Sequence, residues 1–175
     1  MLAIAMDVQQ DRAKSFIEEN QLSMTCLVDS NNLLGELYNF TMTPNGFLVD
    51  PEGVLCYQQL TEINGGNANV FSLKNPQVPA DLGALVSGSL KLGRKQNQEI
   101  ALNSTRKEQM EIFRVGVELY RCGNLEEATE KFRKALSLDP SNFVIRKQIW
   151  AIEHPEKFYP GIDFDWQKNL RLKDD

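Results

Sequence analysis

The amino-acid sequence predicts an α/β segment followed by a small all-α segment. Three observations predict this order. Over the first sixty residues, short apolar runs alternate with stretches of helical period. From residue 109 onward, small and aromatic residues recur at the spacing of two paired helices. Between the two segments lies a polar, glycine-bearing stretch without sustained periodicity.

Composition narrows the function classes first. The chain has 175 residues, 42% hydrophobic and 25% charged, which is enough apolar material to bury a core. Nineteen basic against 24 acidic residues give a net charge of −5, so the basic excess of a nucleic-acid footprint is missing and no nucleic-acid partner is expected. No apolar run approaches the roughly 18 residues of a membrane span, and mean hydropathy is −0.37. No targeting signal lies within the chain, so its compartment is not legible. Cys26, Cys56 and Cys122 lie far apart without a C-x-x-C, which argues against a disulfide framework and a zinc site. No metal and no cofactor is expected. The phosphate-loop, dinucleotide and nucleophile-elbow motifs are all missing. His154, before Pro155, reads as a helix-end residue rather than a catalyst. The pairs Asp50/Glu52 and Asp163/Asp165 are explained by turns and solvation.

Taken in order, Leu2–Val8 is a short apolar run that predicts a buried, parallel strand. A helix over 9–20 places Ala13, Phe16 and Ile17 on one face, with Asn20 as its C-cap. Met24–Val28 predicts a second buried strand. Asp29 and Ser30 offer caps to a helix carrying Leu33, Leu34, Leu37 and Tyr38. Gly46–Val49 predicts a third strand, Asp50-Pro51-Glu52-Gly53 a type I turn, and Val54–Leu60 the returning arm of a hairpin.

With its residues, this order resembles the C-terminal part of the thioredoxin-like fold, in its redoxin branch of peroxiredoxins and thiol:disulfide oxidoreductases. Leu34, Gly35, Tyr38, Pro44, Phe47, Leu48, Val49, Asp50, Gly53 and Val54 carry the resemblance. It implies that Pro44 is a cis-proline and that Thr43 and Pro44 position a thiol, peroxide or peptide substrate. The residues alone also fit a trans loop proline opening an edge strand. The family's redox cysteine sits on a helix after an earlier strand, and that unit is expected to precede Met1. An export signal would lie upstream too. Within the chain no catalytic residue is expected: Cys26 and Cys56 read as small buried hydrophobes, and Cys122 as structural or incidental. The expected fold is thus an incomplete thioredoxin-like α/β domain, without its N-terminal strand and redox helix.

After the turn-rich Glu62–Asn69, Val70–Leu73 suits a short strand. Pro79–Val86 can start a helix, weakened by Gly83, Gly88 and Gly93. Residues 91–104 read as a linker. The second signature then begins: Ile112-x2-Val115-Gly116-x2-Leu119, Ala128-x3-Phe132 and Pro140, with Gly123 between the helices and Ala135 near the end of the second. This pattern resembles the tetratricopeptide repeat. Gly116 and Ala128 are small where the helices approach, Phe132 fills the gap, and Pro140 stops the second helix. A generic helical hairpin is the alternative. Ser141–Ile152 predicts a third, capping helix with Ser141 or Asn142 as its cap. The tail holds Phe158, Tyr159, Phe164 and Trp166, which either cover apolar surface of the helices or form a partner-binding arm.

The expected organisation is a redoxin-like part over 1–90, a linker over 91–104, a tetratricopeptide-like repeat with capping helix over 105–153, and an aromatic tail over 154–175. Three functions follow. The first is a truncated redoxin-like thiol oxidoreductase, of peroxidase or disulfide reductase class, lacking its active-site cysteine motif. The second is a non-catalytic peptide-binding or adaptor protein that uses the helical repeat on a redoxin-like scaffold. The third is a peroxidase or reductase working through Cys26 or Cys56 alone.

Overall fold

The computed structural model describes residues 2–38, 40–43, 47–49, 55–58, 87 and 104–174. The chain packs as two compact units, Met1–Thr41 with Leu102–Asp175, and Met42–Ala101.

In the first unit the N-terminal stretch forms β1 (Leu2–Ala5), α1 (Gln10–Glu19), β2 (Thr25–Val28) and α2 (Leu33–Leu37). β1 and β2 pair in parallel, from Leu2 opposite Thr25 to Ala5 opposite Val28, as a helical crossover requires. Asn20 closes α1. The bonds from Gln21 N–H to Glu18 O and from Leu22 N–H to Ile17 O form a Schellman pair, with Gln21 taking the left-handed φ of 48°. Asp29 caps α2 with both carboxylate oxygens, accepting from Leu33 N–H at 2.9 Å and Leu34 N–H at 2.8 Å.

The two strands differ from expectation. β1 ends at Ala5 rather than Val8, and neither strand is fully buried: Leu2 of β1 and Leu27 of β2 are half exposed, at 52% and 51%. The early end of β1 follows from where Met6–Val8 goes: this stretch leaves the ladder because side chains of the helical half hold its backbone groups, as described below.

The helical half comprises α3 (Ser104–Arg121), α4 (Leu125–Leu138), α5 (Phe143–Glu153), a 3-10 turn at Pro155–Lys157, and α6 (Phe164–Asp174). In α3 the buried residues are Arg106, Gln109, Met110, Phe113, Gly116 and Val117, one continuous stripe of helical period. α4 answers with Ala128, Thr129, Phe132 and Ala135. A Cβ at Gly116 would lie 2.6 Å from Phe132 Cε1 and 3.2 Å from the Ala128 carbonyl, so only glycine permits this approach. The Phe113 and Phe132 rings then meet at 5.0 Å between centroids, in the tilted range that adds about 0.5–1.5 kcal/mol to their burial. Gly123 turns the chain at φ 84°, and the bonds Gly123 N–H to Tyr120 O and Asn124 N–H to Leu119 O close α3 with a second Schellman pair. Asn142 caps α5 through Ile145 N–H at 3.3 Å. Asp163 caps α6 through Trp166 N–H at 2.9 Å. In the tail, Trp166 sets its edge against Trp150, Phe158 and His154, while Phe164 stays 70% exposed.

The second unit contains β3 (Phe47–Val49) and β4 (Leu55–Gln58), an antiparallel pair with an irregularity between Leu48 and Val49. Among the described residues the four strands make two separate pairs rather than the single sheet that a redoxin-like domain implies. Pro44, the turn over 50–53, the strand over 70–73, the helix over 79–86 and most of the linker over 91–104 lie outside the described residues.

Candidate protein-interaction site

The helical half buries polar side chains along its apolar stripes, and these have specific partners. Gln109 on α3 donates to the Ala135 carbonyl at 2.9 Å and accepts from Asn142 Nδ2 at 3.0 Å and Arg106 Nη1 at 2.8 Å. This network ties the ends of α3, α4 and α5 together. Arg106 then reaches across to the N-terminal stretch, where its Nη2 donates to the Gly35 and Phe40 carbonyls at 3.1 and 2.8 Å. The Gly35 carbonyl, in α2, also accepts from Phe40 N–H at 2.9 Å, and the Phe40 carbonyl lies just past the helix, so the guanidinium binds near the negative end of the α2 dipole. Arg114 and Glu36 form an ion pair beside them.

A second anchorage lies on α5. Gln148 Nε2 donates to the Met6 carbonyl at 2.9 Å, and its Oε1 accepts from Val8 N–H at 3.1 Å. One carboxamide therefore satisfies an acceptor and a donor of the same extended stretch. Val8, 4% exposed, enters the apolar cluster that contains Met110, Phe113 and Val117 of α3 and Ile145 and Ile149 of α5. Next to it, Asp7 accepts from Tyr159 O–H at 2.8 Å and from Gln9 N–H at 2.8 Å. The Arg12 guanidinium stacks over the Tyr159 ring at 3.7 Å. Val144 N–H, in the first turn of α5, donates to the Thr41 carbonyl at 3.2 Å. The face shared by α3 and α5 is thus occupied by residues 6–8, and Thr41 meets the first turn of α5.

Burial raises the Asp7 carboxyl above its usual range, against the lowering effect of its bonds to Gln9 and Tyr159 and of the Arg12 charge. Burial and the Asp7 charge push the Tyr159 hydroxyl well up. The hydroxyl therefore stays protonated and donates to the Asp7 carboxyl.

The residues singled out by spacing divide between structure and site. Gly116, Ala128, Phe132 and Ala135 meet in the α3–α4 seam, and Gly123 turns between these helices. Pro140 is an exposed turn residue whose carbonyl accepts from Arg146. Thr43 is half-buried in the second unit, and Pro44 lies outside the described residues. Cys26 on β2 donates to the Met24 carbonyl at 3.3 Å, and Cys122 is exposed after α3. Among the described residues no group of three or more His, Cys, Asp and Glu could hold a metal, and no helix is long and apolar enough to cross a membrane. Spacing did not reveal Gln148, Val8, Asp7, Tyr159 or Arg106. The available signal was a glutamine between Ile145 and Ile149, a polar residue on an apolar stripe.

The tetratricopeptide repeat family matches this chain over residues 111–142, which spans most of α3, the Gly123 turn, α4 and the Pro140 turn. No curated protein and no solved structure matches the chain.

Proposed function

We propose that the chain is a non-catalytic protein-interaction module whose helical repeat grips extended polypeptide on the face shared by α3 and α5. One observation carries this reading: Gln148 pairs with the backbone on both sides of Asp7 while Val8 fills the pocket between the helices. A carboxamide that bonds one N–H and one C=O recognises main chain of any sequence, and the pocket adds selection by side chain. The tetratricopeptide match supports the same class of function. On this reading Gly116, Gly123, Ala128, Phe132, Ala135 and Pro140 build the hairpin, and residues 2–41 serve as its scaffold and cover. The test is a selection of displayed random peptides against the chain carrying Val8→Asp, which empties the pocket by placing a carboxylate among apolar groups. Peptides whose binding falls at least tenfold on adding Gln148→Ala support the function. A selection that yields no binder, or only binders indifferent to Gln148, overturns it.

A second reading, a redoxin-type thiol oxidoreductase, draws on the β-α-β order and the parallel β1–β2 pair. Thr43 and Pro44 would then position its thiol, peroxide or peptide substrate. Thiol peroxidase turnover by this chain that is lost in Cys26→Ser or Cys56→Ser would favour a redox role for its own cysteines, and turnover absent from the unsubstituted chain would dismiss that role.

A further inference from the structure

We infer that Met6-Asp7-Val8 is a built-in occupant of the interaction face, and that the partner it stands in for is an extended acidic peptide segment with an aspartate between two apolar residues. The inference rests on the function proposed above and names the ligand that site takes. Three features of the helical half define the ligand, each from a different residue. Gln148 requires an extended backbone with a free N–H and C=O two residues apart. The cluster around Met110, Phe113 and Ile145 accepts a compact apolar side chain of the size of Val8. The Tyr159 hydroxyl, 2.8 Å from Asp7 Oδ2, donates to an acid at the position between them.

The occupant also behaves as a cover rather than as part of the sheet. Residues 6–8 follow directly on β1, yet they pair with none of its neighbours; β1 stops at Ala5 and the next backbone groups turn to Gln148. The tether to the rest of the chain raises the occupant's effective concentration at the face. A partner peptide of the same pattern must therefore compete with it, and partner affinity is set by how easily residues 6–9 lift away.

The experiment uses the full chain and a fluorescein-labelled peptide of residues 3–11 (AIAMDVQQD), titrated by anisotropy. The chain carrying Val8→Asp is expected to bind this peptide at least tenfold more tightly than the unsubstituted chain. The peptide with Asp7→Lys is expected to bind at least tenfold more weakly than the peptide with Asp7. Equal binding of the Asp and Lys peptides overturns the acidic specificity, and a Val8→Asp chain of unchanged helix content that binds neither overturns the built-in occupant. Should Val8→Asp lose its helices, Tyr159→Phe decides: the occupant reading predicts faster amide exchange at Val8 with α3–α5 unchanged, and unaltered exchange at Val8 contradicts it. Displayed peptides that need Gln148 but share no apolar–Asp–apolar pattern would leave the interaction function standing and remove this inference alone.

Discussion

At Gly116 a single hydrogen decides whether two helices meet. A methyl there would lie 2.6 Å from the Phe132 ring, inside any van der Waals contact, and Phe132 is fully buried with no direction in which to yield. Gly116→Ala is expected to lower stability by about 1–3 kcal/mol, the usual cost of overpacking, read as a lower urea midpoint of the helical circular dichroism. An unchanged midpoint would mean that α3 and α4 are not so closely paired. Asp7 makes the second residue-scale prediction. Its folded pKa lies above the ordinary aspartate value of 3.8 because burial penalises the charge. The folded state therefore binds the proton more tightly than the unfolded state. The resulting stability is fully present below 3.8 and is lost as pH rises through the raised value. Asp7→Asn has no such proton, so the stability of the unsubstituted chain relative to this variant is expected to fall from acid to neutral pH. Urea titrations of both proteins at several pH values check it; a difference constant in pH would show that Asp7 is not buried at the face.

Among the elements, α5 was legible as a third helix capped by Asn142, whereas the role of its Gln148 was not. The α3–α4 hairpin was legible because close approach imposes residue size at fixed spacing, and Gly116, Ala128 and Phe132 satisfy it locally. The parallel β1–β2 pair followed from two apolar runs flanking a helical stretch. What spacing could not supply was the fate of Met6–Val8, since Val8 and Gln148 are 140 residues apart and apolar character alone extended the strand through them. Arg106 was missed for a related reason: it lies in a polar stretch that borders the expected linker, and its partners are the distant Gly35 and Phe40 carbonyls. Asn142 joins both kinds of information, capping α5 and bonding Gln109. Asn142→Ala is expected to cost about 1–2 kcal/mol for the cap alone, and more where Gln109 loses its partner. Thermal unfolding measures it, and a melting temperature within error of the unsubstituted chain would contradict the network.

For the whole molecule, the chain's two ends belong to one compact unit, with residues 42–101 forming the other. The expected division at a polar stretch over 91–104 rests on composition, which marks where chain is polar and not which distant elements pack together. The redoxin resemblance likewise concerns element order, whereas the described strands form two separate pairs. The account depends most on the docking of residues 6–8 to the helices, and amide hydrogen exchange at Val8 tests it directly. The Val8 N–H is predicted to be protected in the unsubstituted chain. In Gln148→Ala, where a buried donor loses its acceptor at a cost of about 1–3 kcal/mol, it is expected to exchange roughly tenfold to a hundredfold faster, with α3 and α4 amides unchanged. Exchange of Val8 at the rate of an open chain in the unsubstituted protein would contradict the account.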